Sequence, residues 1–318
     1  TLIYASNFFT DLVSYNDLTV ASVYKVSNSP QSRQLNSYLG RINYSLLDRY
    51  LLTLSYRADG TSVFQKDKWG YFPSASLAWK VSDEIFMKDN EVINNLKMRL
   101  SYGVVGNQGI PIFGTRSRAV LDPAVNYAFN GALVVGAAPS NRLANPDLTW
   151  ETTKQINGGF DLGLWNSALT LSFDYYRKTT SDLLLDTQLP SYVGPTRRYV
   201  NAGVVENKGF DITLGARILK NKNWNINSTL SISHNKNKVL SLYDDVQYIE
   251  VGDAIRQNTF PVKPTRVEVG LPINTFRGFI FEGVYQLGEE AQGIPGKAKY
   301  RDISGPNGVP DGLITTDD

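Results

Sequence analysis

Hydrophobic and polar residues alternate one by one along several segments of the chain. Between residues 96 and 102, Leu96, Met98, Leu100 and Tyr102 are separated by single polar residues. The same pattern recurs clearly in residues 169–176, 210–218 and 224–233, and more weakly in residues 38–44, 50–58, 71–81 and 150–164. Successive side chains of a strand point to opposite faces, so each segment is predicted to be a strand with one apolar face. No comparable helical periodicity appears, and the sequence predicts an antiparallel all-β chain.

The connections between these segments alternate between tight turns and long loops. Tight turns are predicted at residues 47–49, 165–167 and 220–223, and long loops at residues 60–70, 106–147, 183–199 and 239–263. Tight turns at one end of a sheet and long loops at the other are typical of outer-membrane β-barrels. The connection 82–95 is of intermediate length, falls at the tight-turn end, and contains the best candidate for a short helical piece.

The tryptophans are placed at the ends of the predicted strands. Trp69 and Trp150 fall at the long-loop end, and Trp79, Trp165 and Trp224 at the tight-turn end. An aromatic ring with a polar atom suits the boundary between lipid and water, where such rings form girdles around a barrel. The alternative interpretation is that these rings close the two ends of a soluble sandwich core.

Composition excludes several classes of protein. The chain has 32 basic and 30 acidic residues, a net charge of +2, which is too neutral for a nucleic-acid-binding surface. It has no cysteine, so disulfides and thiolate metal sites are excluded. The single histidine, His234, alternates with Ile232 and Leu230, whereas Ser233 points to the other face. No serine–histidine pair is therefore predicted, and the chain is not expected to be an enzyme.

Seven blocks of sequence extend in a fixed order over most of the chain. They are residues 57–64 (RADGTSVF), 69–79, 96–107, 145–164 (NPDLTWETTKQINGGFDLGL), 175–184, 201–214 and 283–290 (GVYQLGEE). Together they resemble the SusC/RagA family of TonB-dependent outer-membrane transporters. The resemblance runs from about residue 37 to the end, and the ordered set is more specific than any one block.

The resemblance implies a fold, a location and a set of partners. It implies a barrel of about 22 strands that encloses a plug, located in the cell outer membrane and surrounded by its lipid. It also implies TonB, with ExbB and ExbD, as the source of energy, a SusD-like lipoprotein as a cap, and an oligosaccharide or oligopeptide as cargo.

No block resembles the plug or the segment that contacts TonB, so the 318 residues are expected to be a segment of a longer transporter. Within this partial barrel, residues 1–36 are predicted to be a loop region and residues 37–281 to supply about nine to ten strands. Residues 282–318 are predicted to be an extracellular loop. An open sheet of this size would leave unpaired edges in lipid, which a bilayer does not tolerate.

Candidate site residues follow from these faces and loops. Ligand contacts are predicted from aromatic residues in or beside the long loops: Phe64, Trp69, Tyr127, Phe129, Tyr192 and Tyr199. The polar, lumen-facing set is Arg99, Glu151, Asn157, Asp174, Asp211 and Arg217. The long loop 106–147 also carries Arg116 and Arg118, which can pair with acidic groups. We expect this loop to be extracellular and to contact the cargo or the lipoprotein; alternatively it only narrows the barrel mouth.

No cofactor is predicted. Asp302, Asp311 and Asp318 lie in a segment similar to a stretched calcium-binding loop, but Pro306 and Pro310 interrupt the ligand spacing. A turn-rich loop built on aspartate and glycine is the favoured interpretation of this segment. Two further functions stay open from sequence: a soluble or surface-attached β-rich carbohydrate-binding module, and an outer-membrane enzyme.

Overall fold

The structure, a computed structural model, describes residues 2–8, 21–27, 32–190, 192, 194–251, 255–257, 260–288 and 296–303. Its regular structure is almost entirely β. The strands are β1 (Leu2–Phe8), β2 (Ala21–Ser27), β3 (Leu35–Leu46), β4 (Tyr50–Thr61), β5 (Trp69–Lys80), β6 (Ile93–Asn107), β7 (Ala119–Phe129), β8 (Ala132–Pro139), β9 (Arg142–Leu143), β10 (Glu151–Leu164), β11 (Leu169–Ser181), β12 (Leu184–Gln188), β13 (Arg197–Asn201), β14 (Val204–Lys220), β15 (Asn225–Ser241), β16 (Tyr248–Val251), β17 (Ile255–Gln257), β18 (Phe260–Val262), β19 (Thr265–Glu268), β20 (Thr275–Phe276), β21 (Phe281–Val284) and β22 (Ala298–Tyr300). Short 3-10 turns occupy Val81–Asp83, Ile85–Met87 and Tyr243–Asp245.

Eight long strands form one sheet in the order β3-β4-β5-β6-β10-β11-β14-β15. Every neighbouring pair is antiparallel. Because each long strand pairs with the long strand that comes next in the chain, the sheet is a simple meander. The predicted antiparallel all-β fold is confirmed.

The two ends of this sheet differ as their connections do. Residues 47–49, 165–168 and 221–224 make short connections at one end, and residues 81–92 make a longer connection at the same end, as the sequence predicted. At the other end the connections are residues 62–68, 108–150 and 182–203, and the last two contain short strands of their own. β7 pairs with β8, and β9 joins β12 and β13 in a three-stranded sheet. We call the two ends the tight-turn end and the long-loop end.

Two regions differ from the expected layout. Residues 1–36, predicted to be a loop region, contain β1 and β2, which pair with each other, and the start of β3. The ninth and tenth strands expected within residues 37–281 do not extend the eight-stranded sheet: β19 pairs with β16 and β20 instead. Short strands that pair locally need no long apolar alternation, which is why the sequence pattern did not reveal this arrangement.

Strand register collects the apolar residues on one face and the polar residues on the other. One row of directly paired residues crosses all eight strands: Leu46, Tyr50, Trp79, Met98, Phe160, Phe173, Ile212 and Ile232. The adjacent row, on the opposite face, is Ser45, Leu51, Ala78, Arg99, Gly159, Asp174, Asp211 and Ser233. The face predicted to be apolar is therefore continuous across the whole sheet.

The apolar face is uncovered. Leu100 is 54% exposed and Leu230 is 56% exposed, although both lie in the middle of long strands. A soluble β-sandwich packs such a face against a second sheet, and no second sheet covers it within the described part of the chain. A membrane barrel, by contrast, turns a broad apolar face of its antiparallel sheet towards the hydrocarbon of the bilayer. The closed core needed by a soluble module is thus missing from the described residues.

Aromatic rings border this face at both ends. Tyr38 stacks on Trp69 at 5.9 Å and Tyr56 on Tyr71 at 6.3 Å near the long-loop end. Tyr50 stacks on Trp79 at 6.2 Å at the tight-turn end. These pairs match the predicted girdles. Trp150 is an exception, because loop residues cover it and leave it only 5% exposed.

The outer edges of β3 and β15 have no ladder partner among the described strands. Hydrocarbon offers no hydrogen bonds to the backbone, so a membrane sheet must close on itself. The described strands thus form an open sheet with two unpaired edges, β3 and β15.

A charge placed on the apolar face should be costly, and the same charge one residue away should not. In the full-length protein, Leu214→Arg should lower the free energy of unfolding in lipid vesicles by about 2–4 kcal/mol, because Leu214 lies near the middle of the apolar band. Thr213→Arg, on the polar face, is the matched control and should cost much less. Equal losses for the two variants would contradict the assignment of the faces.

Candidate functional site

A small hydrophobic core at the long-loop end holds two connections against strand β5. Phe64 and Phe72 pack edge-on against Trp150, with ring centroids at 5.6 Å and 5.4 Å. Val63, Ile110 and Leu148 complete the cluster. The residues come from the loop after β4, from β5, and from both ends of the long segment between β6 and β10. The core therefore anchors the bases of these loops.

The burial of Phe64 corrects one prediction from the sequence. Its side chain is only 1% exposed, so it cannot offer a ring face to a ligand. Hydrogen bonds hold the loop in place beside it: the Thr115 hydroxyl donates to the Val63 carbonyl at 3.1 Å, and the Gln65 amide donates to the Thr115 carbonyl at 2.6 Å. Phe64 is a packing residue.

The position of Trp69 corrects a second prediction. Trp69 pairs with Gly60 in the ladder, and its ring lies where a Cβ atom on Gly60 would come within 2.9 Å of it. The ring stacks on Tyr38 on the apolar face. The glycine of the RADG sequence thus makes room for this ring. Trp69 belongs to the aromatic border of the membrane face, away from the lumen.

The other predicted ligand contacts have different surroundings. Phe129, at the end of β7, is 69% exposed, and Tyr192 is 88% exposed. Tyr199 is partly buried and lies beneath the Arg142 guanidinium, whose carbon is 4.1 Å from the ring centroid. The side chain of Tyr127 lies outside the described residues. Phe129 and Tyr192 are accordingly the candidates whose rings are free to stack on a ligand.

An ion-pair cluster next to Tyr199 was not expected from the sequence. Arg142 donates two hydrogen bonds to the Asp186 carboxylate, at 2.8 Å and 3.1 Å, and Arg197 approaches the same carboxylate at 3.6 Å. The hydrogen bonds from Arg142 to Asp186 raise the pKa of Arg142, which keeps its guanidinium charged. The cluster fixes β9 against β12 and β13. Its members are far apart in sequence and follow no periodic pattern, so no sequence signal could have identified it.

A pocket of about 200 Å³ opens beside this cluster. Its lining includes Phe113, Arg116, Arg118 and Arg142. Arg118 stacks on Phe113 at 4.7 Å, and Arg142 is held by Asp186 and Tyr199, so both guanidinium groups have a defined place. Arginine presents several donors in a planar fork that matches carboxylate, sulfate or phosphate groups. The pocket is therefore suited to an acidic group.

The polar face contains a second network, at the centre of the sheet. Arg99 Nη2 donates to Asp161 at 3.1 Å and to Asp174 at 2.9 Å, and the Ser172 hydroxyl donates to Asp161 at 2.8 Å. Asp211 is the direct ladder partner of Asp174. Three aspartates thus share one face with Arg99, so this part of the face is acidic and able to bind cationic or hydroxyl groups.

The remaining residues predicted to face the lumen lie apart from this network. Glu151, at the long-loop end, accepts hydrogen bonds from the Asn107 side chain at 3.1 Å and from the Leu184 backbone at 3.2 Å. Asn157 pairs in the ladder with Ser101 and Tyr176. The Arg217 guanidinium makes two long contacts of 3.5 Å to backbone carbonyls of the tight turn after β10.

The single histidine belongs to the apolar face. His234 is paired with Phe210, and their rings are 5.7 Å apart on the apolar face, as its alternation predicted. Among the described residues no three acidic or histidine side chains gather as metal ligands. Of the three aspartates in the segment similar to a calcium-binding loop, Asp302 is described, and Asp311 and Asp318 lie outside the described residues. No helix of the described part is long and apolar enough to cross a membrane.

The sheet, its uncovered apolar face and its aromatic borders define a wall segment of an outer-membrane β-barrel. Residues 3–287 match the family model "TonB dependent receptor-like, beta-barrel", and the chain belongs to that family. The predicted resemblance to TonB-dependent outer-membrane transporters is thereby confirmed, and the relatives that follow, named as receptors, agree with the prediction that the chain is not an enzyme.

Named relatives agree with this assignment. TonB-dependent receptor P26 of Formosa agariphila is 39% identical over 293 residues, which are 90% of this chain and 28% of that protein. TonB-dependent receptor SusC of Bacteroides thetaiotaomicron is 35% identical over 264 residues, 79% of this chain and 25% of SusC. The structure of the RagAB peptide transporter matches with a TM-score of 0.73 at 24% identity, over 98% of this chain and 32% of that one. The chain thus spans about a quarter to a third of the length of these relatives.

The packing of the Arg99 network should depend on the absence of a side chain at Gly159. A Cβ atom at Gly159 would clash with both the Asp174 carboxylate and the Phe173 carbonyl, so Gly159→Ala must displace both groups or move the strand itself. At Gly158, on the opposite face, the nearest atom is a Leu100 methyl at 3.8 Å. We expect Gly159→Ala to lower the unfolding free energy by roughly 1–3 kcal/mol. Gly158→Ala is the control, and a loss as large as that of Gly159→Ala would contradict the packing described.

Proposed function

We propose that the whole protein of which this chain is part imports oligosaccharides or oligopeptides across the outer membrane by TonB-dependent transport. The observation that carries the proposal is the continuous apolar face across eight paired strands in a chain of the TonB-dependent receptor barrel family. A barrel wall with a polar inner face encloses a path across the membrane, which is what import of a polar cargo needs.

The features of the long-loop end support contact with cargo there. Phe129 and Tyr192 expose aromatic rings, and the pocket beside Arg142 exposes Arg116 and Arg118. Exposed rings can stack on sugar rings or on peptide side chains, and guanidinium groups can bind carboxylate or sulfate. The acidic network around Arg99 lies further along the polar face and supplies donors and acceptors for a hydrated cargo.

The proposed partners follow from the family. We propose that a SusD-like surface lipoprotein caps the long-loop end, and that TonB, with ExbB and ExbD, supplies energy through parts of the protein outside these residues. The names of the relatives support TonB dependence, and one matching structure is described as a peptide transporter. The choice between oligosaccharide and oligopeptide rests on cargo tests with the protein itself.

The loop between β6 and β10 provides the test. Ala119 and Pro139 are directly paired across the β7–β8 hairpin, so residues 120–138 can be replaced by a short glycine linker without moving the loop bases. In the full-length protein this deletion should reduce cargo uptake and co-purification of the lipoprotein while the barrel still assembles. Surface labelling and resistance to unfolding in detergent measure assembly.

Two results separate the alternatives. If uptake and co-purification both persist at the wild-type level in an assembled barrel, the hairpin only narrows the mouth and its proposed role is wrong. The double variant Arg116→Gln and Arg118→Gln leaves the hairpin in place. It should lower uptake of an acidic cargo and leave uptake of a neutral one unchanged.

A further inference from the structure

We propose that the connection between β5 and β6 is a membrane anchor: Ile85 and Phe86 insert into the lipid interface at the tight-turn end of the barrel. The partner is the phospholipid surface itself, at the boundary between headgroups and acyl chains. The proposal does not depend on the cargo or on TonB, because it concerns only how the wall is held in the bilayer.

A buried carboxylate fixes this connection to the apolar side of the sheet. Glu84 Oε1 accepts hydrogen bonds from the Tyr50 hydroxyl at 2.7 Å and from Trp79 Nε1 at 3.0 Å. Tyr50 and Trp79 are ladder partners whose rings stack on the apolar face. Their polar tips therefore hold Glu84, and with it the start of the connection, at the border of the lipid-facing surface.

A third side chain, that of Arg49, also binds Glu84. We call Glu84 and its three partners, Arg49, Tyr50 and Trp79, the clamp. Arg49 Nη1 donates to Glu84 Oε2 at 3.0 Å, and the Lys80 backbone N–H donates to the Arg49 carbonyl at 2.8 Å. The hydrogen bond from Tyr50, followed by that from Trp79, holds the pKa of Glu84 below its usual value of 4.5. Glu84 is thus charged at neutral pH, and the clamp joins two neighbouring tight connections.

The residues that follow Glu84 are apolar and uncovered. Ile85 and Phe86, in the second 3-10 turn, are 74% and 71% exposed. They continue directly from a residue bound to the lipid-facing aromatic pair, and the exposed charged residues Lys88 and Asp89 follow them. Two apolar residues followed by charged residues, next to a lipid-facing surface, are typical of a segment that lies in the lipid–water interface.

The other tight connections repeat the same feature. Leu47, Trp165 and Trp224 are each more than half exposed. Leu47 and Trp165 also have left-handed backbone conformations, with φ of 53° and 51°, where glycine or asparagine would be easier to accommodate. Exposure of these large apolar side chains to water is unfavourable, and contact with lipid at this edge would remove that cost. Each described tight connection therefore adds an apolar side chain to one edge of the sheet.

A spin label gives a direct test, since the 318 residues contain no cysteine. Phe86→Cys is prepared in the full-length protein with any cysteine elsewhere replaced, labelled with a nitroxide and reconstituted in phospholipid vesicles. Collisions with oxygen, which concentrates in lipid, are compared with collisions with a water-soluble nickel chelate. The ratio of the two should be several-fold higher at residue 86 than at a label on Asp89→Cys. Ile85→Cys provides a second, independent position.

Three outcomes decide the proposal. A high oxygen and a low nickel collision rate at residues 85 and 86 supports insertion into lipid. A high nickel rate means that the turn faces water, and the proposal is wrong. Low rates for both reagents mean that another part of the protein covers the turn, which also overturns it.

Discussion

The absence of hydrogen-bonding partners in hydrocarbon is the constraint on which the rest of this structure depends. Each backbone N–H and C=O at membrane depth must be paired within the protein, and a continuous antiparallel ladder is one of the few ways to achieve this. The ladder of eight strands fixes the register between neighbours. Register then fixes the faces, because a shift of one residue would turn every apolar side chain towards the lumen. The long row from Leu46 to Ile232 is the result of that register.

The two ends of the sheet differ in how their connections are held in place. At the tight-turn end, short connections hold neighbouring strands together, and the Glu84 carboxylate ties one connection to the aromatic border through Tyr50 and Trp79. At the long-loop end, the core around Trp150 anchors the bases of long connections. Above that core the chain is free to present exposed rings and arginines. The same sheet thus combines a wide apolar face with one end that carries exposed rings and arginines.

How much could be predicted from the sequence depended on the range of each interaction. Alternation at Leu96, Met98 and Leu100 reports the local geometry of a strand, so the long strands of the eight-stranded sheet, their faces and the tight turns could be predicted. Contacts between distant segments leave no such pattern. The burial of Phe64 by Trp150 and the pairing of Arg142 with Asp186 depend on how separate loops meet, and neither was foreseen. Aromatic residues near a long loop were therefore assigned to ligand binding when some of them pack the loop bases or border the membrane.

Fluorescence quenching by lipid along one strand tests most directly the claim that the apolar face of the sheet is in contact with lipid. A fluorescent label is placed at each position from 96 to 102 of β6 in the full-length protein, in vesicles of brominated lipid. The account predicts strong quenching at residues 96, 98, 100 and 102 and weak quenching at residues 97, 99 and 101. Equal quenching at all positions, or quenching in the opposite phase, would contradict a sheet whose apolar face is in contact with lipid.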